Sequence, residues 1–360
     1  MIDPIAKLHS PTGSLVSLYV NRRAQATRAA LTQLLKSLSQ ANGNKYLRRD
    51  ADRILQLADT IESDPAPAAA VFASHRDGIF EFLPLTHEVE DIATVGPRPH
   101  LRPLRSQPRP MRVGVIVADT ARARTFAMSG GVLHEYGEEL VAERGKENYG
   151  GFSGYEEQRN RARAVELSAN LWRQAGRRLL EAHRDQPLEL LVIAGHDEDF
   201  DSIAVELHPY LRQLPQERLV FDTGAFNQSS LAEGVAAAVE RERRRLSEEL
   251  LDRLLAEAGR GGSAVTGLAP VLEACNAHAV EQLVVAGPFV KPGVMCDGCG
   301  WLARDGETCP LCETPTFPID DVVSAAMDAT VEAGGRSEIV RVASPLDADG
   351  VGAFLRFRVR

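Results

Sequence analysis

Four cysteines in the last fifth of the chain have the spacing of a metal site. Cys296, Cys299, Cys309 and Cys312 follow a C-x2-C-x9-C-x2-C pattern, and two such short pairs can supply the four ligands of one tetrahedral ion. Thiolates favour soft or borderline metals over Mg²⁺ or Ca²⁺, and four of them leave no open position for a catalytic water. The pattern therefore predicts one structural Zn²⁺ in a zinc ribbon at 294–314. The alternatives are a pair of disulfides, a redox dithiol or an iron–sulfur centre.

The other groups that could do chemistry are weaker candidates. Cys275 stands outside the array and is interpreted as a buried helix thiol. The acidic run at 195–199 follows a predicted strand, where α/β proteins often place a site. Asp199 or Asp201 is better explained as the cap of the next helix. The sequence contains no phosphate-binding P-loop motif, so any nucleotide hydrolysis would belong to a partner.

A glycine-rich, aromatic segment in the middle of the chain is the second candidate site. Residues 144–155, RGKENYGGFSGY, hold four glycines and three aromatics. Paired glycines allow close approach of another backbone, and aromatic faces flanked by arginine are typical of unpaired RNA recognition. The alternative is a surface loop whose aromatics fold back on the domain. The candidate RNA-binding residues are Lys146, Tyr149, Gly150, Gly151, Phe152, Ser153, Gly154, Tyr155, Arg159, Arg161 and Arg163.

The charge distribution favours a local contact with a polyanion. The 360 residues carry a net charge of −9, which argues against a protein that coats nucleic acid non-specifically. Residues 102–184 carry +5, and the remainder carries −14. One basic segment is therefore expected to face a polyanion while its flanks avoid it. A solvated, arginine-rich helix is the alternative.

Hydropathy and the amino-terminal residues predict a cytoplasmic protein. No apolar run approaches the ~18 residues that a membrane span requires, and the first residues, MIDP, make a poor start for a secretory leader. The hydrophobic content of 44% is enough for two or three ordinary cores in a chain of this length.

The predicted elements indicate an α/β protein of three domains. An N-terminal α/β domain at 1–98 is followed by a proline-rich linker at 99–110. A middle domain occupies 111–225, and a C-terminal α/β domain with the zinc ribbon as an insertion occupies 226–360. In the first domain we predict a strand at 14–20, helices at 27–39 and 50–61, and a hairpin formed by 69–73 and 78–83.

The middle domain is predicted to be a mixed sheet with helices packed on it. Three antiparallel strands precede a long helix at 156–183, and strand, helix and strand follow at 188–194, 203–214 and 218–221. The side chains of the long helix that recur at helical spacing are expected to face the sheet. These residues are Ala164, Ser168, Leu171, Trp172, Ala175 and Leu179.

The order of these motifs resembles the archaeal and eukaryotic class-1 translation release factor and Pelota superfamily. A meander, a Gly-Gly loop, an arginine-bearing helix, the AVTG sequence at 264–267 and the cysteine array occur in that order. The chain is more closely similar to bacterial relatives, including the Balon-type ribosome hibernation factors. The resemblance is specific at 111–163 and from 263 onward, and weak before residue 100.

This resemblance implies partners for each domain. It implies a shape that mimics tRNA in the ribosomal acceptor site, in contact with 16S and 23S rRNA. The third domain would contact elongation factor Tu or another translational GTPase, and neither DNA nor a membrane is an expected partner.

Two departures from the family pattern bear on activity. Release factors carry Gly-Gly-Gln at the loop tip, where the glutamine helps water attack the peptidyl ester, whereas the matching residues here are Gly150, Gly151 and Phe152. Phenylalanine can neither donate a hydrogen bond to water nor accept one. The Asn-Ile-Lys-Ser sequence that release factors use to read stop codons is absent as well.

These departures imply a ribosome-binding factor without peptide-release chemistry. It would occupy the acceptor site of idle or stalled bacterial ribosomes during dormancy or stress. One alternative is a peptidyl-tRNA hydrolase or ribosome-rescue factor that uses Gln158. The other is a zinc-ribbon adaptor unconnected with ribosomes.

Overall fold

The computed structural model describes residues 4–5, 7–23, 25–42, 47–107, 110–142, 155–287, 289–343, 346 and 350–358, and of 41–42 and 155–160 it describes the backbone alone. The chain has a mixed α/β fold and divides into two units. The first unit joins 1–108 to 247–360, and the second is 109–246. Within the described ranges, no helix combines the length and hydropathy that crossing a membrane requires.

The N-terminal part of the first unit is built on a four-stranded antiparallel sheet of order β3-β2-β1-β4. Both faces of the sheet are covered, so its central strands are apolar on both sides: Val16, Leu18 and Val20 pack toward the helices, and Leu15 and Tyr19 toward the opposite face. The elements are β1 (Leu15–Asn21), α1 (Thr27–Asn42), α2 (Leu47–Leu55), α3 (Ala58–Ser63), β2 (Ala68–Ser74), β3 (Ile79–Leu85) and β4 (Ile92–Gly96).

These elements confirm the predicted strand, first helix and hairpin of this part. The single helix predicted at 50–61 is two helices, α2 and α3, with a turn between them. Strand β4 was not predicted. Its sequence, IATVG, is too short to stand out by periodicity, and it completes the sheet by pairing with β1.

A short helix, α4 (Arg102–Arg105), lies within the proline-rich segment. Pro103 sits in the first turn, where its missing N–H costs nothing. Leu101 and Leu104 are buried against the face of the sheet that carries Leu15 and Tyr19. The segment therefore packs into the first unit and covers one face of its sheet.

The C-terminal part of the first unit contains a second sheet, of order β11-β17-β12-β16. β12 and β16 are parallel, and the chain between them runs through the ribbon and helix α10, so the ribbon is an insertion in a β-α-β crossover. The elements are α8 (Gln228–Gly259, shared between the units), β11 (Ala264–Thr266), α9 (Leu268–Asn276), β12 (Val280–Ala286), β13 (Gly293–Cys296), β14 (Leu302–Ala303), β15 (Thr316–Ile319), α10 (Val322–Glu332), β16 (Arg336–Val340) and β17 (Val351–Leu355).

The second unit is built on a mixed sheet, as predicted, but the sheet has six strands where five were predicted. β5, β6 and β7 form an antiparallel meander, β9 and β10 add parallel strands beside β5, and β8 pairs with β6. Helices α5 to α7 pack on one face and the first half of α8 on the other. The elements are β5 (Val113–Ala118), β6 (Arg122–Ser129), β7 (Val132–Glu135), β8 (Leu140–Val141), α5 (Tyr155–Asp185), β9 (Leu190–Gly195), α6 (Phe200–Glu206), α7 (Pro209–Arg212) and β10 (Gln216–Val220).

One predicted helix of this unit is wrong in its extent. The segment 203–214 forms two short helices, α6 and α7, and Pro209 begins the second. Proline cannot continue a helix because it lacks an N–H, and it keeps the preceding residue out of the helical region. His208 accordingly has an extended backbone, with ψ of 141°, and its side chain accepts a hydrogen bond from the N–H of Tyr210.

Candidate metal centre and RNA-binding segment

Three short strands position the cysteine array. β13 pairs in antiparallel fashion with β14 on one side and β15 on the other. Cys296 is the last residue of β13 and lies opposite Thr316. A Cβ atom at Gly293 would lie only 2.6 Å from the carbonyl oxygen of Ala303, so a glycine is required where β13 approaches β14.

Each Cys-x-x-Cys pair forms the same turn. The N–H of Gly300 donates to the carbonyl of Cys296 (3.0 Å), and the N–H of Glu313 donates to the carbonyl of Cys309 (3.0 Å). In both turns the first cysteine donates its N–H to the carbonyl five residues later, at 2.8 and 2.9 Å. The residue after the second cysteine has a positive φ in both, 75° at Gly300 and 59° at Glu313. The array is therefore two copies of one local turn.

The four sulfur atoms lie at the corners of a small cluster. They are all within 4.8 Å of one another. The Sγ atoms of Cys296 and Cys312 are 3.4 Å apart, those of Cys299 and Cys309 3.5 Å, and those of Cys299 and Cys312 3.6 Å. A tetrahedral ion with metal–sulfur bonds of about 2.3 Å needs sulfurs about 3.8 Å apart, whereas a disulfide bond is about 2.05 Å. All four cysteines are free, and the cluster can hold a metal ion.

The protonation of these thiols also favours a cation. Hydrogen bonding with Thr314 lowers the pKa of Cys312 to about 6. The N–H of Trp301 lowers the pKa of Cys299, but Cys309 and the other close sulfurs outweigh it and raise that pKa to about 12. One thiolate thus opposes ionisation of the next. A divalent metal ion removes that opposition, because a coordinating thiol is deprotonated outright.

The predicted RNA-binding residues fall partly inside the described chain. Arg161 and Arg163 are exposed, as are all residues from 161 to 166. Tyr155 and Arg159 belong to the first turns of α5, where the backbone alone is described. The remaining residues of this prediction lie outside the described residues: Lys146, Tyr149, Gly150, Gly151, Phe152, Ser153 and Gly154.

Helix α5 extends past the core of the second unit at its N-terminal end. Ser168, Leu171, Trp172, Ala175 and Leu179 are buried, which confirms their predicted orientation. The sixth residue of that prediction, Ala164, is exposed, and its assignment to the buried face was wrong. Periodicity predicts which side of a helix is apolar, but it does not predict where the covering sheet ends.

Sequence reasoning missed a carboxylate at the carboxyl ends of the parallel strands. Asp119 follows β5, and its Oδ2 accepts a hydrogen bond from the hydroxyl of Thr223, which follows β10, at 2.6 Å. Its Oδ1 accepts from the N–H groups of Ala121 and Arg122 at 2.6 and 2.8 Å. Burial raises the pKa of Asp119, but these hydrogen bonds outweigh burial and hold it below its usual value. The one available signal was an aspartate placed directly after a buried strand.

The predicted caps of the following helix do not form. Asp199 occupies the position before α6, but its side chain makes no capping hydrogen bond. Asp201 lies inside the helix and pairs with Arg218. Among the described residues, the cysteine cluster is the one group of three or more metal-ligating side chains close enough to hold an ion. Cys275 is buried as predicted, and burial raises its pKa to about 11.

Comparisons with known proteins find a similar sequence family for the middle of the chain. Residues 99–244 match the family described as bacterial archaeo-eukaryotic release factor family 10. No curated protein matches the sequence.

Several solved structures are similar to the chain. An archaeal translation termination factor, aRF1, is 16% identical, with 99% of this chain and 96% of that chain covered and a TM-score of 0.26. Archaeal Pelota, from an assembly described as ribosome-bound with ABCE1, is 16% identical over 100% and 95%, with a TM-score of 0.44. Dom34 from S. cerevisiae, described as interacting with Hbs1, is 9% identical over 81% and 80%, with a TM-score of 0.42. All three TM-scores are below 0.5, so these structures do not strengthen the sequence match. What the comparisons show for this chain is therefore a likeness of residues 99–244 to bacterial archaeo-eukaryotic release factor family 10.

Proposed function

We propose that this protein is a ribosome-binding translation factor that occupies the acceptor site of idle or stalled bacterial ribosomes without releasing the peptide. The proposal rests on two features of one segment, a family match and a replaced glutamine. The segment 99–244 matches a release-factor family, yet Phe152 stands where release factors carry the glutamine that assists water. A factor of this kind retains the means to reach the large subunit but lacks the side chain for hydrolysis.

The charge pattern supports contact with rRNA through the second unit. The stretch 102–184 carries +5 in a chain whose net charge is −9. Attraction to phosphate is therefore confined to one region, while the acidic remainder limits adhesion to other RNA. Contacts with both 23S and 16S rRNA follow from the proposed position in the acceptor site.

The exposed end of α5 supports insertion between RNA elements. Arg161 and Arg163 are two residues apart on a helix, so they lie on different sides of it. Residues 161–166 are exposed all around the helix. Both arginines can reach phosphate together when RNA surrounds this end of the helix, and a flat surface would meet only one of them.

The cysteine cluster supports a structural zinc ion. Three of its six sulfur–sulfur separations are 3.4–3.6 Å and all are within 4.8 Å, close to the separations in a four-thiolate zinc site. Cys296, Cys299, Cys309 and Cys312 would hold the ion, which would supply folding energy to the ribbon and no catalytic step. We further propose elongation factor Tu or another translational GTPase as a delivery partner of the C-terminal part. Hibernation or stress protection is the proposed physiological role.

Sedimentation with vacant 70S ribosomes tests the binding. We expect the protein to co-sediment at modest salt. An Arg161→Ala/Arg163→Ala variant and a Gly150→Ala/Gly151→Ala variant should each weaken binding, about tenfold for the arginine pair given that each phosphate contact contributes to affinity. The matched control is Arg244→Ala/Arg336→Ala, which removes two exposed arginines outside the segment 102–184 and should bind like the parent. Absence of co-sedimentation would end the proposal.

A peptide-release assay separates the proposal from its enzymatic alternative. Stalled ribosome complexes that carry labelled peptidyl-tRNA should keep their label when the protein is added. Release above background, abolished by Gln158→Ala, would instead establish a rescue factor. The Phe152→Gln variant restores the glutamine of the release-factor motif. If it released peptide, the loop would be shown to reach the peptidyl-transferase centre.

A further inference from the structure

An apolar groove in the first unit lies between helix α9 and the ribbon. Its volume is about 500 Å³. The helix contributes one wall, with Leu272 and Asn276, and the ribbon contributes the other, with Trp301, Leu302 and Leu311. None of the four metal-ligating cysteines lines it, and the proposed rRNA contact belongs to the other unit. The groove therefore has no role in anything described above.

The floor of the groove is fixed in place. The side chain of Asn276 donates to the carbonyl of Leu302 at 2.8 Å and accepts from the N–H of the same residue at 2.9 Å. Leu272 and Leu302 are 3% and 2% exposed, which ties both walls to the core of this part of the unit. A groove whose walls are already held together loses little conformational entropy when it binds a partner.

Two large side chains of the groove remain accessible. Leu311 is 68% exposed at the turn of the second cysteine pair, and Trp301 is half-buried beside the first. A Cβ atom at Gly306 would lie 3.9 Å from the indole ring, so the chain passes close to Trp301 on one side and leaves the groove side open. Tryptophan in a partly formed pocket is the residue type that most often dominates binding energy at protein interfaces.

The charges around the groove select the partner. Glu273 and Asp305 line it together with one arginine, Arg304, and neither carboxylate has an ion-pair partner in the described parts of the chain. The ribbon exposes three more carboxylates beyond the lining, at Asp297, Glu307 and Glu313. A net negative rim repels RNA phosphate and attracts lysine or arginine.

We propose that this groove binds a basic, amphipathic segment of a partner protein. An apolar side chain of that segment seats between Trp301 and Leu311, and its lysines or arginines face Glu273 and Asp305. The groove accepts the apolar anchors of a helix at positions i, i+4 and i+7, the usual helix-in-groove arrangement. The inference does not depend on rRNA binding, because it uses only residues of the first unit.

Tryptophan fluorescence of the zinc-loaded, full-length protein tests the proposal. The probe is a synthetic helical peptide of about 15 residues with leucines at i, i+4 and i+7 and lysines elsewhere. A second peptide with glutamates in place of the lysines is the comparison. The chain has two tryptophans, and since Trp172 is only 6% exposed, a change in emission reports on Trp301. We expect saturable binding of the lysine peptide and none of the glutamate peptide.

Three variants make the outcome specific. Leu311→Glu should weaken lysine-peptide binding about tenfold or more, because it puts a charge in the apolar seat. Val290→Glu changes another exposed apolar residue of the same unit, 49% exposed and outside the lining, and should leave binding unchanged. Glu273→Lys/Asp305→Lys should reverse the preference so that the glutamate peptide binds.

Three results would overturn the proposal. They are equal binding of both peptides to the parent protein, no saturation by the lysine peptide below about 1 mM, and a fluorescence response to oligouridylate that Leu311→Glu abolishes. The last result would make the groove an RNA site.

Discussion

Arg102 and Asp321, which are 219 positions apart in the sequence, form a largely buried ion pair. Nη1 lies 2.9 Å from Oδ2, and the two side chains are 11% and 9% exposed. The guanidinium also donates to the carbonyls of Gly287 and Phe289 at 3.0 and 2.6 Å. Oδ1 of Asp321 accepts from two N–H groups in the first turn of α10, at 3.1 and 3.2 Å. The carboxylate of Asp321 thus caps α10 and neutralises Arg102 of α4.

We expect Asp321→Ala to lower the free energy of unfolding of the first unit by about 3–5 kcal/mol, because it leaves Arg102 buried without a counter-charge. Asp321→Asn keeps a capping side chain and should be less harmful by about 1 kcal/mol. Urea unfolding at pH 7 measures both. The control is Asp320→Ala, which removes the exposed carboxylate that precedes Asp321 in the sequence. It should change the free energy of unfolding by no more than about 0.5 kcal/mol. A small, equal effect of all three variants would contradict the role of Asp321 as the counter-charge of Arg102.

A second ion pair, between Arg105 and Asp328, should make stability depend on pH. Burial raises the pKa of Asp328 to about 6, although Arg105 acts in the opposite direction. The pKa of Asp328 is higher in the folded protein than in the unfolded chain, so protonation of this carboxyl stabilises the folded state. The stabilisation is present in full below about pH 4. That contribution is lost as the pH rises to about 6.

Melting temperatures of the parent and of Asp328→Asn, measured from pH 4.5 to 7, should reveal this dependence as a difference between the two. As the pH rises through that range, the parent should lose stability relative to Asp328→Asn, which cannot ionise. Asp320→Asn, at an exposed position, should follow the parent at every pH. Parallel curves for the parent and Asp328→Asn would show that Asp328 does not titrate in this range.

Removal of the metal should destabilise the ribbon. We expect one zinc ion per chain by elemental analysis, and a lower melting temperature after chelation, since structural zinc commonly contributes about 10–16 kcal/mol of apparent binding energy. Cys309→Ser should reduce the zinc content to near zero. Cys275→Ala removes a buried thiol outside the cluster and should retain one zinc ion despite a loss of about 1 kcal/mol. A metal-free parent with unchanged melting would exclude a structural ion.

Thr223→Val should destabilise the second unit by about 1.5–3 kcal/mol, because it removes a hydrogen bond to the ionised carboxylate of Asp119. Thr120→Val makes the same chemical change at an exposed position in the adjacent turn and should be nearly neutral. Chemical unfolding followed by the fluorescence of Trp172, whose indole N–H donates to the carbonyl of Asp119 at 2.9 Å, measures both. Equal effects at the two threonines would assign no special role to the hydrogen bond.

The amino-acid sequence by itself determined the features whose causes are local. The two cysteine turns are readable because each is stabilised by hydrogen bonds within six residues. The meander, the long helix α5 and the parallel strands of the second unit follow from runs of apolar residues at strand or helix spacing. Even the break between α6 and α7 had a local cause in Pro209.

Tertiary structure alone decided the features whose partners are distant in the chain. Asp119 meets Thr223 across 104 residues, and Arg102 meets Asp321 across 219. Nothing within a few residues of either partner specifies such a pair, because it forms only where the sheet and helices bring two chain segments together. The same holds for the exposure of Ala164 and for the groove beside Trp301. An apolar residue at helical or strand spacing reports which face could be covered, and the packing of the other elements determines whether anything covers it.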